Sequence, residues 1–365
     1  MATKAAAPTV QESVRTVRAE NWGSLWKRYH LWIGGAITAM LVTVCYGFAL
    51  KLPFFYDDLP IMTWLSRHSW TDIWTLSSEN SYYRPLAFTV YKIGQLLPFG
   101  TRQVALHGAS ILSHWLNTVL IILVVKTCDK SAGRAVLAGI LYAVYPFLFL
   151  SIPWVTALSH PLVTLLTLLA TYAALRAVRD KTTRWWVVSL SATVLAALAH
   201  ESGVVCGAIV AGVVIIQYGT QLNRQHVVGI VAALALGVCA VLLRRVIPGV
   251  GAMGFAGLQD WPQNTAFFLH GLLYPVAPII GWLVNEMGWH DLTLVVLSTV
   301  LTLLLLAWLA RRCHDRRWIV RNLWWWGCAA LPALLSLRYG ELFTSPRLYA
   351  LAAAGVAMLW AGIIT

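Results

Sequence analysis

Apolar runs of roughly bilayer length recur through this chain, each bounded by charged or turn residues, and no other feature restricts its fold so tightly. Ten runs can be marked, at roughly 31 to 50, 104 to 126, 134 to 152, 160 to 178, 185 to 200, 203 to 219, 226 to 247, 291 to 310, 321 to 338 and 348 to 365. A span takes about 20 residues, so ten spans and one or two substantial loops fill the 365 residues and leave no room for a large soluble domain. Composition agrees. Some 59% of residues are hydrophobic and 11% charged, with a mean hydropathy of +0.70, whereas soluble domains carry about 25% charged residues. The expected fold is an all-α polytopic membrane protein: a cytoplasmic segment over 1 to 30, then a transmembrane domain over 31 to 365.

Charge gives the orientation. With the N-terminus inside, the inner segments collect 18 of the 27 Lys and Arg and five of the 14 acids, so that side carries +13. The remaining nine bases and nine acids cancel on the other side. This is the pattern of the positive-inside rule, and it predicts both termini inside. The basic balance thus reports topology and anionic headgroups, and a nucleic-acid partner is not expected. The first thirty residues are polar and basic, without a short apolar core or cleavage site, so the first run is expected to be its own insertion signal. The last run reaches Thr365 without a basic flank, which suggests a longer protein. Six cysteines lie in spans or at inner ends and show no CxxC spacing, so neither a disulfide framework nor a cysteine metal site is expected.

Two outer segments, 51 to 103 and 248 to 290, are rich in Trp, Tyr and Pro and too interrupted to span. Helices lying in the interface suit them. The first begins Phe54-Phe55-Tyr56-Asp57-Asp58. Paired carboxylates just outside hydrocarbon repel each other and are costly there, which points to chemistry, although either aspartate could simply cap the following helix. The same segment ends Tyr82-Tyr83-Arg84-Pro85-Leu86. Pro85 suits a first helical position, leaving Arg84 beside free amides that favour a phosphate; an Arg snorkelling to headgroups is the other reading. Beyond it, His107 and His114 are seven residues apart, on one helix face but about 10 Å apart along the axis, too far to share one metal. Each is either a packed histidine or a hydrogen-bond donor to a loop or phosphate, and Asn117 reads as an interhelical partner. His200-Glu201 and Arg347 fall on the same predicted outer surface.

These residues, in this order, resemble the C-type glycosyltransferase superfamily, most closely its branch of transmembrane O-mannosyltransferases that often carry tetratricopeptide repeats. The similar elements are Asp57-Asp58, Tyr83-Arg84-Pro85-Leu86, His107 with His114 and Asn117, Ala143-Val144-Tyr145-Pro146 with Trp154, His200-Glu201, and Arg347-Leu348-Tyr349. There are departures. The family's His before the proline is Tyr145, its Gly-Arg-x-Asp reads Ala157-Leu158-Ser159-His160, its Lys of Lys-Glu is His200, and its Glu before the Arg-Tyr box is Pro346.

The resemblance implies transfer of a sugar from a polyprenyl phosphate donor to a protein, lipid or glycan acceptor at the extracytoplasmic face of a bacterial plasma membrane. By the same resemblance Asp57 or Asp58 is the base, and Arg84, His107 and Arg347 face the donor phosphate. His114, Asn117, His200 and Glu201 support them. Some superfamily members use a divalent metal, but no ligand set stands out here. The departures favour an alternative, a non-catalytic glycosyltransferase-like subunit acting as a scaffold in a larger membrane complex. A transporter is the least favoured reading, since neither midspan ionisable groups nor an inverted repeat is visible.

Overall fold

The computed structural model of the chain describes residues 29–75, 82–129, 131–247, 257, 260–275, 291–312, 315–338, 341 and 345–365. The expected cytoplasmic segment and most of the second outer segment lie outside these. Every regular element among the described residues is helical. In chain order they are α1 (Tyr29–Lys51), α2 (Asp58–Arg67), α3 (Trp70–Thr75), α4 (Pro85–Gly94), α5 (Phe99–Cys128), α6 (Ala132–Ala143), α7 (Ser159–Asp180), α8 (Thr183–Ala199), α9 (Cys206–Tyr218), α10 (Arg224–Val246), α11 (Trp261–Leu272), α12 (Asp291–Arg312), α13 (Arg316–Ser336) and α14 (Ala350–Ile364).

Among the described residues, six helical stretches are long and apolar enough to cross a membrane: Tyr29–Lys51, Phe99–Cys128, Val155–Asp180, Glu201–Gln221, Arg224–Val246 and Pro346–Ile364. The chain is thus an integral multi-pass membrane protein, but the count of ten spans is not reached on this criterion. Two expected spans form apolar helices too short for that criterion, Ala132–Ala143 and Thr183–Ala199. The run 134 to 152 is helical only to Ala143, because Pro146 follows and disfavours helix at the residue before it; two short 3-10 turns, Pro146–Leu148 and Val155–Leu158, carry the chain onward. The run 185 to 200 forms the 17-residue α8. The first outer segment folds into the short helices α2, α3 and α4, each with one buried face.

The core is a bundle in which α7 packs on α8 and α5, and α14 on α13 and α6. Small residues set the closest approaches. A Cβ at Gly207 would lie 2.0 Å from the Ala233 carbonyl oxygen, and one at Gly229 would meet the Trp186 ring at 2.4 Å, so α9 and α8 reach α10 only because those positions are glycine. Asn117 donates to the Pro161 carbonyl at 3.0 Å, joining α5 to α7. At one end of the bundle the loop helices pack over the mouths of α5 and α7. Lys92 of α4 donates to the Leu65 and His68 carbonyls at the end of α2, and Gln95 donates to the Met62 carbonyl. That end carries the candidate site.

Candidate active site at the loop end of the bundle

The two adjacent aspartates have different environments. Asp58 is fully buried. Its Oδ2 accepts the Phe55 amide at 3.1 Å and its Oδ1 the Thr156 amide at 2.9 Å, fastening the start of α2 to the 3-10 turn ahead of α7. Tyr91 holds the same residue through its hydroxyl, which donates to the Thr156 carbonyl at 2.9 Å. Burial raises the Asp58 carboxyl above its ordinary value, against the pull of the two amides. Asp57 occupies the N-cap position of α2 but makes no capping bond, and its side chain is exposed. Tyr56 before it has φ 47°, a left-handed conformation that costs a non-glycine residue about 1–3 kcal/mol and is held only where surroundings over-determine it. Fixing Asp58 on one side of the bend and stacking Phe55 on Trp154 on the other supplies that constraint.

Arg84, at the N-cap of α4 with Pro85 following as expected, reaches across the chain to Glu201. Its Nε donates to both carboxylate oxygens at 3.0 and 2.9 Å, its Nη2 lies 2.7 Å from Oε2, and its Nη1 donates to Ser159 Oγ at 3.4 Å. Burial works against the charge, but the Glu201 carboxylate outweighs it and holds the guanidinium above its ordinary value. Glu201 is presented by the turn Glu201–Val205, made where α8 stops. Gly203 permits that turn, since a Cβ there would sit 2.0 Å from the Ala196 carbonyl oxygen. His200 Nδ1 accepts the Ser202 amide at 3.1 Å, which assigns the proton to Nε2, 3.3 Å from Glu201 Oε2. The His160 ring lies 4.3 Å from the His200 ring. Arg244, from α10, donates to the Ala197 carbonyl at 2.7 Å and stands 3.6 Å from Glu201 Oε1.

Arg347 approaches from the turn Pro346–Tyr349, with its guanidinium carbon 4.2 Å over the Trp154 ring. It lies within electrostatic reach of both Asp57 and Arg84. Trp154 also stacks with Phe55 and meets the ring of Tyr56, which is 80% exposed. Its indole N–H is buried without a hydrogen bond. Three guanidiniums therefore face two carboxylates, Glu201 and Asp57. The excess positive charge, the unpaired indole donor and the exposed carboxylate suit an anionic group held beside a base.

Of the residues expected from sequence, Asp57, Arg84, His200, Glu201 and Arg347 are thus brought into one neighbourhood, with Asp58 as its fastening. His107 is not brought to the arginines. It is fully buried and tilted against Phe54, and neither ring nitrogen makes a hydrogen bond. His114 is deeper, paired through Nε2 with the Ala143 carbonyl at 3.1 Å and edge-on to Tyr46. Both behave as packed histidines of α5. Among the described residues no three His, Cys, Asp or Glu side chains are placed to hold a metal ion. Sequence reading missed Arg244 and the His160–His200 contact. The available signal was an arginine at the end of a 19-residue stretch otherwise free of Asp, Glu, Lys and Arg.

No curated protein matches the chain. Residues 84–243, which contain Arg84, Trp154, His160, His200 and Glu201, match the model of the dolichyl-phosphate-mannose-protein mannosyltransferase family. That match fits the C-type glycosyltransferase superfamily in its mannosyltransferase branch, and this stretch of the membrane core is mannosyltransferase-like.

Proposed function

We propose that the chain transfers a sugar from a polyprenyl phosphate donor to an acceptor hydroxyl on the extracytoplasmic face, with Asp57 as base and Arg84 and Arg347 facing the donor phosphate. The observation that carries this reading is the contrast within the aspartate pair. Asp58 is consumed by two backbone amides, whereas Asp57 is exposed, makes no capping bond and lies within electrostatic reach of Arg347. In the reaction the acceptor oxygen bonds to the sugar's anomeric carbon as the bond from that carbon to the phosphate oxygen breaks. The electron pair stays with the lipid phosphate, and the acceptor proton goes to Asp57. Positive charge already in place where the phosphate gains negative charge lowers the barrier without reorganisation. A general base within reach of the acceptor contributes about 10²- to 10⁴-fold.

The second reading, a non-catalytic subunit, is favoured by one specific observation. Arg84 spends its Nε and Nη2 on Glu201, leaving less of the fork for a ligand. Purified full-length chain in proteoliposomes, given polyprenyl phosphate mannose with peptide, lipid and glycan acceptors, separates the two. Transfer that disappears in Asp57→Asn supports the enzyme. Donor that neither binds nor turns over supports the scaffold.

A further inference from the structure

Arg244 is a buried charge that the mechanism above does not use. It sits in the last turn of α10, a helix with many exposed aliphatic side chains, yet it is only 8% exposed itself. Arg245 and Val246 show that its surroundings offered another course, for Val246 is 77% exposed two positions on. Rather than extend outward, Arg244 turns in between α8 and the Glu201 turn. Nη2 takes the Ala197 carbonyl, and Nη1 is buried without a hydrogen bond at 3.6 Å from Glu201 Oε1. That separation is beyond hydrogen-bond length but well within strong Coulombic range.

The consequence concerns Arg84. A closed pair of Arg84 with Glu201 is electrically neutral and offers a phosphate little. Arg244 beside the same carboxylate makes the trio net positive, and it attracts Glu201 through Oε1, an oxygen that Arg84 Nε also bonds. The other groups around the carboxylate are His200, whose Nε2–H faces it, and Ser159 and His160 from α7. None of these supplies a fixed positive charge. We infer that Arg244 is a positioning residue for phosphate binding: acting through Glu201, it holds the Arg84 guanidinium in place and leaves it with positive potential toward the lipid phosphate. This inference rests on the proposed donor site. It differs from a purely structural role for Arg244, that of capping the end of α8 at Ala197.

The test uses the full chain in lipid nanodiscs with Arg244→Gln, Arg244→Lys, Glu201→Gln and the double variant Arg244→Gln/Glu201→Gln. Polyprenyl phosphate alone is the binding probe, titrated by native mass spectrometry, and sugar transfer is read separately as KM and kcat for the donor. Arg244→Gln should weaken polyprenyl phosphate binding and raise donor KM by about tenfold, the order expected for one coupled charge interaction, while kcat stays within about twofold. Arg244→Lys, which keeps the charge but cannot fork between Ala197 and Glu201, should fall between, and it serves if the Gln variant does not fold. In the Glu201→Gln background, Arg244→Gln should change binding little. Unchanged affinity in both Arg244 variants, or independent, additive losses in the double variant, would overturn the inference. Wild type that binds polyprenyl phosphate but transfers nothing would defeat the enzymatic reading while leaving the role of Arg244 decided by the binding data.

Discussion

The acceptor capacity of a carboxylate and of an amide differ by one atom, and at the aspartate pair that difference separates two kinds of residue. Asp58→Asn keeps one oxygen for an amide but turns an NH2 toward the other, so one of the Phe55 and Thr156 amides is orphaned; the expected loss is about 1–3 kcal/mol of stability. Asp57→Asn loses no bond that the fold uses. It should melt with the wild type while transfer falls about 10²-fold or more, and an active Asp57→Asn protein would remove Asp57 from the mechanism. Asp58 also predicts a pH dependence. Burial raises its carboxyl above the unfolded value, so the folded state binds that proton more tightly. Its contribution is present in acid and is lost as pH rises from the ordinary carboxylate range, about 3.9, through the raised value. The melting-temperature advantage of wild type over Asp58→Asn should therefore narrow as pH rises across that interval, and one that widened would contradict the assignment.

Turns, more than spans, decide what this bundle presents. The carboxylate of Glu201 reaches Arg84 because α8 stops and Gly203 lets the next turn fold back against Ala196. Gly203→Ala must push that turn away, and losing the charged hydrogen bonds of the partly buried pair it carries costs about 1.5–3 kcal/mol; the variant should lose thermal stability and phosphate binding together, and loss of neither in a thermal melt and a binding titration would sink this account. Spans such as α10 were legible, because the run 226 to 247 holds an uninterrupted apolar stretch from Val227 to Leu243, and α10 matches that run closely. Where Pro146 interrupts an apolar run, hydropathy alone extended the helix beyond Ala143. That Arg84 and Glu201 belong to the same end of the bundle could be expected from charge, but not their pairing, since 117 residues separate them. The two readings of His107 stayed open for a related reason: a histidine near a helix mouth looks the same in sequence whether it packs in the core or faces a phosphate.

Across the whole molecule the two ends of the bundle differ in charge and in cross-links. At one end Arg134 pairs with Asp129 and donates to Thr365 Oγ1, Gln217 donates to the Cys128 carbonyl, and Arg321 reaches Gln217 while stacking on Trp318. These contacts gather the starts of α6 and α13 with the ends of α5, α9 and α14, an end that carries Lys126, Arg134, Arg316, Arg317 and Arg321. The contacts of Asp58 with Thr156, Arg84 with Glu201, Arg244 with Ala197 and Ser151 with Arg347 gather the opposite ends. If the basic end is cytoplasmic, the site faces outward, where a lipid-linked sugar delivered across the membrane can meet an exported acceptor. Single cysteines in a background lacking the six native ones test this. Leu59 and Gln221 are both exposed and belong to opposite ends, and neither takes part in the site. In intact cells a membrane-impermeant maleimide should label Leu59→Cys directly and Gln221→Cys only after permeabilisation. The reverse pattern would place Asp57 and Arg84 in the cytoplasm and exclude an extracytoplasmic acceptor, whatever the transfer assay shows.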